Sequence, residues 1–262
     1  MTEWNAAEYE RISALQAAMA EEALSMLNLR GTESVLDIGC GQGKITREIA
    51  ARVPAGRVIG IDASEKMIAS ARDSAAESPQ TNLEFAVADA RHLDFHHEFD
   101  LIVSFNALHW IPEQALALDS IRAAIKPAGL AQLRLVPDGE RKSIESVIEQ
   151  TRLSPQWAQY FTGFRNPYLH LTPEKYAALA AQHGFSVPRN HISDKSWDFH
   201  SRRAFAAFGS VTFVEWTQHI PESLRLDFVN DALDRYRRVA CLHPGEENYF
   251  RFYQMDITLA PA

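Results

Sequence analysis

Three acidic residues that lie in or directly after short apolar runs are the groups whose spacing suits ligand chemistry. Asp37 lies within the run 35–38, Asp62 follows the run 57–61, and Asp89 follows the run 83–88. A carboxylate at the end of a strand can accept hydrogen bonds from both hydroxyls of a ribose. A second carboxylate can accept one from the exocyclic amine of adenine. The spacing therefore predicts a site for one adenosine-like ligand at three consecutive strand ends.

Glycines alternate directly after the first apolar run, at Gly39, Gly41 and Gly43. A chain that turns sharply from a strand into a helix needs residues without Cβ, and their absence also lets a ligand lie against the main chain near the helix N-terminus. The loop reads G-x-G-x-G, with Lys44 where a dinucleotide-binding loop has its third glycine, and it lacks the G-K-[ST] ending of a P-loop. A nucleotide-like ligand is expected, and a dinucleotide-binding oxidoreductase is the alternative.

These motifs resemble, in this order, the class I S-adenosylmethionine-dependent methyltransferases. The resemblance is clear from Glu33 to about Val136. It implies that Asp37 and Gly39 face the methionine part of the cofactor, that Asp62 faces the ribose, and that Asp89 and Ala90 face the adenine. By the same resemblance, four further residues are candidates for cofactor binding: Gly41, Ala63, Met67 and Asn106. Met67 lies at helical spacing, so ordinary core packing is its alternative.

The N-terminal segment 4–29 has apolar residues at helical spacing and is expected to be a helix that ends before Gly31. Tyr9 and Gln16 are seven residues apart and share a face of it. In the resembled family this segment often folds back over the cofactor, which implies contacts from both residues to the methionine carboxylate. A packed Tyr9 ring and a solvated Gln16 are the alternative.

The stretch after the fourth predicted strand is the next candidate for chemistry. It reads Asn106-Ala107-Leu108-His109-Trp110-Ile111-Pro112, and ligands of doubly wound sheets lie beyond the strand ends. It resembles the small-molecule branch that contains trans-aconitate and juvenile hormone acid methyltransferases, and it lacks the Asn/Asp-Pro-Pro-Tyr type of sequence used to bind a flipped base. His109 is a candidate general base or substrate hydrogen-bond donor, with a structural histidine as the alternative. Trp110 is expected to form a wall of the pocket for substrate or cofactor, with plain core packing as the alternative.

An acidic substrate would need a cation in its binding site, and a planar substrate would need aromatic residues. The substrate-binding candidates in the C-terminal half are Arg165, Tyr168, Trp197 and Arg202. A guanidinium matches a carboxylate in bidentate geometry. Solvated arginines and aromatic residues that only pack the protein are the alternatives.

The elements that must position these residues predict an α/β fold. We expect a doubly wound, mostly parallel, seven-stranded Rossmann-like sheet with an N-terminal helix and a helical lid inserted after strand five. Residues 141–161 are predicted to be mostly helical with a break at Pro155, 185–192 and 195–199 to be strands, and 201–217 to be a helix. The expected domains are the N-terminal helix and cofactor-binding core at 1–136, the lid at 137–170, and the remainder of the core with a further helical excursion at 171–262.

The composition excludes several classes of protein. The 262 residues carry a net charge of −8 at pH 7, which disfavours nucleic-acid binding by an electrostatic footprint. Two cysteines without ligand spacing indicate neither a disulfide framework nor a structural metal, and the histidines of the loop 91–98 lack a ligand motif. No signal peptide or apolar span is evident. We expect a cytoplasmic protein without metal or membrane association, as a monomer or homodimer.

The sequence thus predicts an S-adenosylmethionine-dependent methyltransferase for a small molecule. Carboxyl O-methylation by positioning alone is favoured, since a carboxylate nucleophile needs no base. O- or N-methylation of a planar metabolite with His109 as the base is the alternative reaction. A non-catalytic protein that retains the fold is the alternative from another class.

Overall fold

The computed structural model describes the main chain of residues 6–262 and the side chains from residue 14. Within that part the β-strands are β1 (Ser34–Ile38), β2 (Arg57–Asp62), β3 (Leu83–Val87), β4 (Phe99–Phe105), β5 (Ile125–Leu135), β6 (Phe185–Asp198) and β7 (Tyr249–Pro261). The α-helices are α1 (Ala6–Ser25), α2 (Lys44–Arg52), α3 (Glu65–Ala76), α4 (Gln114–Ala124), α5 (Ile144–Arg152), α6 (Pro173–Gln182), α7 (Arg202–Thr212), α8 (Val214–Thr217) and α9 (Glu222–Ala240). Short 3₁₀ helices cover Leu108–Trp110 and Ala158–Phe161.

The strands form one sheet in the order β3-β2-β1-β4-β5-β7-β6. β1 pairs in parallel with β2 and β4, and the pairs β2–β3 and β4–β5 are also parallel. β7 is antiparallel to β5. This confirms the mostly parallel, seven-stranded, Rossmann-like sheet, and it brings the carboxyl ends of β1, β2, β3 and β4 to the same edge.

Both faces of the central strands are buried, because successive side chains of a strand point to opposite faces. Leu36 and Ile102 belong to one hydrophobic cluster, whereas their chain neighbours Val35 and Val103 belong to another. Side chains of both clusters are essentially inaccessible to solvent. This double burial fixes the register of β1 and β4, and with it the position of the loops that follow them.

Three expected elements of the C-terminal half differ in their bounds. The expected helix 141–161 is α5 followed by a 3₁₀ helix, because the Ser143 hydroxyl caps α5 by accepting from Ser146 N at 3.2 Å, and α5 ends at Arg152. The expected strands 185–192 and 195–199 are one continuous strand, β6. The expected helix 201–217 divides into α7 and α8 at Phe213, whose main chain leaves the helical conformation.

The chain forms two compact units. The sheet unit comprises Ala20–Pro137, Tyr168–Ser193 and Gln254–Ala262. The helical unit comprises Asp138–Pro167 and Asp194–Tyr253, together with the part of α1 before residue 20. In the helical unit two fully buried tryptophans bond to acids: Trp157 Nε1 donates to Asp231 at 2.8 Å, and Trp216 Nε1 donates to Glu149 at 2.6 Å.

A buried ion pair joins β5 to β7 in the sheet unit. Arg134 has no exposed side-chain surface, and its Nε donates to Asp256 Oδ1 at 2.7 Å. The two residues lie directly opposite each other in the antiparallel pair. Gln254 Nε2 donates to Asp256 Oδ2 at 3.1 Å, and Glu22 of α1 lies 3.7 Å from Arg134. The last strand is therefore held by charge as well as by its ladder.

Removal of one partner of this pair tests its contribution to stability. Asp256→Ala leaves the Arg134 guanidinium buried without its main counter-charge, and we expect it to lower the free energy of unfolding by about 3–5 kcal/mol. The measurement is the urea midpoint. Arg57→Met is the control, because Arg57 bridges Glu84 and Glu98 at an exposed position, where less than about 1 kcal/mol is expected. Equal losses in the two variants would contradict the assignment.

Candidate functional site

The glycine loop between β1 and α2 packs closely against the residue that follows β4. Gly39 N and Cys40 N donate to Ile61 O at 2.8 and 2.9 Å. Gly39 has a φ of 74°, and a Cβ on it would lie 2.1 Å from the Cβ of Ala107. A Cβ on Gly41 would meet no atom within 4 Å. The loop is therefore tight on one side and open on the other, as a site for a ligand that lies against the main chain requires.

Asp62 at the end of β2 joins the glycine loop to α3. Its Oδ2 accepts from Gly41 N at 3.0 Å, and its Oδ1 accepts from Ser64 N at 2.9 Å. The Ser64 hydroxyl in turn caps α3 by accepting from Met67 N at 3.3 Å. Each carboxylate oxygen keeps a further lone pair, so Asp62 can still accept hydrogen bonds from a ligand.

Asp37 is buried beneath the loop. Its side chain is 2% exposed, and its Oδ2 accepts from the Thr46 hydroxyl at 2.7 Å. Burial, and the nearby Asp62 carboxylate, raise the pKa of Asp37 to about 7. Burial in this position means that the carboxyl group is partly protonated near neutral pH, and that a cation bound beside it would favour its ionised form.

Asp89, two residues after β3, is held by the residue that follows Ala90. Arg91 Nη2 donates to Asp89 Oδ2 at 2.6 Å, and Arg91 N donates to Oδ1 at 2.9 Å. These bonds from Arg91 lower the pKa of Asp89, so the carboxylate is ionised. Arg91 Nη1 also donates to Glu113 Oε2 at 3.0 Å, which joins this loop to the residue before α4.

A cavity of about 460 Å³ lies in the sheet unit where these strand ends meet. The expected cofactor residues that line it are Gly39, Asp62, Ala63, Asp89, Ala90 and Asn106. Asn106 has a φ of 61°, and its N–H donates to Arg134 O at 2.9 Å, so it turns the chain directly after β4. Trp110, an expected substrate residue, is also part of the lining. The volume suits a nucleoside-sized ligand.

Other expected cofactor residues lie elsewhere. Asp37 in β1 and Gly41 in the glycine loop are not part of the cavity lining, and the Met67 side chain is 41% exposed and outside the lining. Gln16 is exposed on α1. The Tyr9 side chain lies outside the described residues. The expected contacts of these five residues with a cofactor stay predictions.

His109 is a buried, neutral histidine rather than a cavity residue. Its side chain is 3% exposed and is not part of the lining, and its Nδ1 accepts from Val136 N at 3.4 Å. Burial, and the neighbouring His170, lower its pKa to about 3. The 3₁₀ turn Leu108–Trp110 directs Trp110 toward the cavity and His109 inward. The expectation that His109 faces the reacting methyl group is not met in this geometry.

Segment 168–170 is attached to the turn that carries Trp110. Leu169 N donates to His109 O at 2.8 Å, and Gln114 Nε2 donates to Leu169 O at 2.8 Å. The Tyr168 ring lies 6.3 Å from the Trp110 ring, in edge-to-face geometry. Tyr168 is therefore placed beside a cavity residue. Gln114 was not identified from the sequence, because its partner is 55 residues away.

The remaining expected substrate residues belong to the helical unit. The guanidinium of Arg202 donates to Asn230 Oδ1 at 3.1 Å and pairs with Asp234 at 2.8 Å, so it is occupied by protein groups. Arg165 is exposed, and Trp197 is half-buried. Their roles toward a substrate stay predictions.

The described residues hold neither a metal cluster nor a membrane-spanning helix. Among them, no cluster of three or more histidine, cysteine, aspartate or glutamate side chains is placed to hold a metal ion. None of the helices in that part of the chain is long and apolar enough to cross a membrane.

Residues 35–129, which contain the glycine loop and all four strand ends, match the methyltransferase domain family. The trans-aconitate 2-methyltransferase of Deinococcus radiodurans is 28% identical over 260 residues, which cover 95% of each chain. The enzyme of the same name from Methylobacterium radiotolerans is 34% identical over 60% of this chain and 58% of its own. The chain is an S-adenosylmethionine-dependent methyltransferase whose match to the methyltransferase domain covers residues 35–129. Its cofactor is S-adenosylmethionine.

The fold agrees with this assignment. The phosphoethanolamine N-methyltransferase 2 of Haemonchus contortus, solved in complex with S-adenosyl-L-methionine, superimposes with a TM-score of 0.61 at 17% identity and covers 94% of this chain and 53% of its own. At that identity the likeness concerns the fold alone. The match to a methyltransferase family contradicts the alternative of a nicotinamide-dependent oxidoreductase.

The raised pKa of Asp37 gives this methyltransferase a testable pH dependence. Between its ordinary value of 3.8 and about 7, the folded protein holds a proton on Asp37 that the unfolded chain has released. The free energy of unfolding therefore falls with rising pH in this window, by up to about 1.4 kcal/mol per pH unit. Asp37→Asn removes this contribution. Urea midpoints at pH 5 and 7.5 should show that, as the pH rises, the variant becomes more stable relative to the natural protein. Stabilities that change in parallel with pH in the two proteins would contradict the raised pKa of Asp37.

Proposed function

We propose that this methyltransferase transfers the methyl group of S-adenosylmethionine to a carboxylate oxygen of a small organic acid. When bound, the cofactor supplies an activated methyl group on a sulfonium. The role of the protein is to hold the acceptor oxygen in line with the methyl carbon and to exclude water. The single observation that carries this proposal is that His109, the one imidazole in the loop after β4, is buried and neutral.

The residues present fit the nucleoside of this cofactor. Asp62 keeps lone pairs for the ribose hydroxyls, and the open side of Gly41 leaves room for a ligand against the main chain. Asp89 and Ala90 are assigned to the adenine, and Gly39 and Asn106 to the side of the methionine and the methyl group. Support comes from the cavity lining, which brings together five of these six residues, all except Gly41.

The ribose assignment is tested by Asp62→Ala. Loss of charge-assisted hydrogen bonds to the hydroxyls should weaken S-adenosylhomocysteine binding by about 1.5–3 kcal/mol, measured by calorimetric titration. The matched control is Asp100→Ala. Asp100 also accepts from a main-chain amide, Ser34 N at 2.9 Å, but lies outside the cavity lining. Affinity that is unchanged by the first variant, or lowered equally by the second, would contradict the assignment.

A carboxylate acceptor explains why a base is dispensable. A carboxylate is already the nucleophile at neutral pH, whereas a phenol or an ammonium must lose a proton first. Among the acids of the lining, Asp62 is assigned to the ribose hydroxyls, and Asp89 and Glu113 are bonded by Arg91. Trp110, beside Tyr168, offers an aromatic wall on which the carbon skeleton of a planar acid can pack.

The relatives support the same acceptor class. Both relatives described above are named as trans-aconitate 2-methyltransferases, and one of them matches over 95% of this chain. The alternative, methylation of a hydroxyl or amine with His109 as the base, would need an imidazole that reaches the cavity and titrates near neutral pH. Buried His109 meets neither requirement.

The acceptor class is tested by mass spectrometry of a panel of small molecules incubated with deuterated S-adenosylmethionine. Trans-aconitate and other planar di- and tricarboxylic acids should gain a methyl group that mild alkali removes as an ester. Catechols and aromatic amines should stay unmodified. Transfer to a catechol or amine, without ester formation on any acid, would contradict the proposal.

A second prediction separates positioning from base catalysis. His109→Asn keeps an acceptor for Val136 N but removes the imidazole, so kcat on the carboxylate substrate should change by less than about threefold, because general-base catalysis typically contributes a hundredfold or more. At saturating cofactor, kcat should also be flat between pH 6 and 9. A limb in this profile that disappears in the variant would show that His109 acts as a base.

A further inference from the structure

The Asp89 carboxylate is almost fully engaged by one side chain. Arg91 Nε lies 3.0 Å from Asp89 Oδ1 and 3.1 Å from Oδ2, and Arg91 Nη2 lies 2.6 Å from Oδ2. The main-chain N–H of Arg91 donates to Oδ1 at 2.9 Å. A carboxylate has about four acceptor sites, so the two N–H groups of the fork and the main-chain N–H leave about one for a ligand.

The far end of the same guanidinium is fixed by another acid. Arg91 Nη1 donates to Glu113 Oε2 at 3.0 Å, and the side chains of Arg91 and Glu113 are 37% and 53% exposed. Exposed ion pairs contribute little to stability, so a contribution to folding does not account for this arrangement. Asp89, Arg91 and Glu113 all line the cavity. Bonds at both ends of Arg91 leave the Asp89 carboxylate a single orientation in the cavity wall.

The ionisation state of Asp89 decides which purine it can bind. An ionised carboxylate only accepts hydrogen bonds, whereas a protonated one can donate to a carbonyl oxygen. The 6-amino group of adenine is a donor, and the 6-oxo group of hypoxanthine is an acceptor. Asp89 is ionised at neutral pH, and the Arg91 bonds lower its pKa further and fix the direction of its remaining acceptor site. The site therefore opposes a 6-oxo group, and a site built to bond one partner strongly rejects the analogue that lacks it.

We propose that Arg91 determines the purine selectivity of the cofactor site by holding Asp89 as a fixed acceptor for the 6-amino group of adenine. This inference rests on the proposed placement of the adenine at Asp89. Arg91 is a positioning residue here, since it acts through Asp89. Glu113 supports it from the opposite side.

The test compares S-adenosylhomocysteine with S-inosylhomocysteine, which differs from it at position 6 of the purine. Calorimetric titration of the natural protein at pH 7.5 should favour the adenosine compound. The selectivity ratio is the dissociation constant of S-inosylhomocysteine divided by that of S-adenosylhomocysteine. In Arg91→Met this ratio should fall by about tenfold or more, as expected when one charge-assisted hydrogen bond no longer distinguishes the two purines. Arg91→Lys keeps the charge but loses the fork, and it should give an intermediate ratio.

Arg57→Met is the matched control. It removes another arginine that bridges two carboxylates, Glu84 and Glu98, at a position outside this cavity. Its ratio should equal that of the natural protein. Thermal melts show whether each variant is folded at the temperature of the titration. Because the Arg91 side chain is partly exposed, Arg91→Met is expected to fold.

The pH dependence shows which property of Asp89 Arg91 controls. The ordinary pKa of an aspartate is 3.8, and Arg91 lowers the pKa of Asp89 below it, so Asp89 is ionised at pH 5.5 and above with or without Arg91. The ratio should therefore be constant from pH 7.5 to 5.5 in the natural protein and constant, at its lower value, in Arg91→Met. A ratio in Arg91→Met that falls on acidification would contradict a role of Arg91 in orienting the carboxylate. Effects of Asp37 cancel in the ratio, since both ligands share the homocysteine part.

The outcomes separate this inference from the proposed function. An unchanged ratio in Arg91→Met, with S-adenosylhomocysteine still bound, would overturn the role of Arg91 and leave the cofactor site intact. Failure of the natural protein to bind S-adenosylhomocysteine would overturn the proposed site and the inference with it. A ratio that falls in Arg91→Met and stays constant in Arg57→Met supports both.

Discussion

Close contact between the ends of neighbouring parallel strands is the constraint on which the site depends. Gly39, after β1, packs against Ala107, after β4, with no space for a Cβ. Asp62, at the end of β2, accepts from the main chain of the glycine loop and of the α3 cap. These contacts are possible because the buried faces of β1, β2 and β4 fix their register. The cavity is the space that remains where those ends meet.

Electrostatics then divides the acids of this region into two kinds. Asp37 is buried with only a hydroxyl partner, so its pKa rises to about 7. Asp89 has a guanidinium partner, so its pKa is lowered. The first carboxyl can respond to a bound cation, and the second stays a permanent acceptor. One strand edge therefore carries a proton-linked carboxyl group and a carboxylate that stays ionised.

Much of the fold, and the strand ends that line the cavity, could be predicted, because both depend on local patterns. Alternating glycines and apolar runs that end in acids specify strand–loop–helix units, and six of the expected cofactor residues line the cavity. His109 could not be placed, because a single 3₁₀ turn decides which of two consecutive side chains faces the cavity. Arg91 was missed because its role depends on Glu113, 22 residues away. The C-terminal helices have periodicity, but their sequence carries no motif that assigns a role.

The central claim is that these strand ends bind the nucleoside of S-adenosylmethionine, and calorimetric titration of the purified protein with S-adenosylhomocysteine, beside NADH, tests it most directly. We predict micromolar binding of S-adenosylhomocysteine and no measurable heat of binding for NADH. Binding of NADH with comparable affinity, or no binding of S-adenosylhomocysteine, would contradict the account.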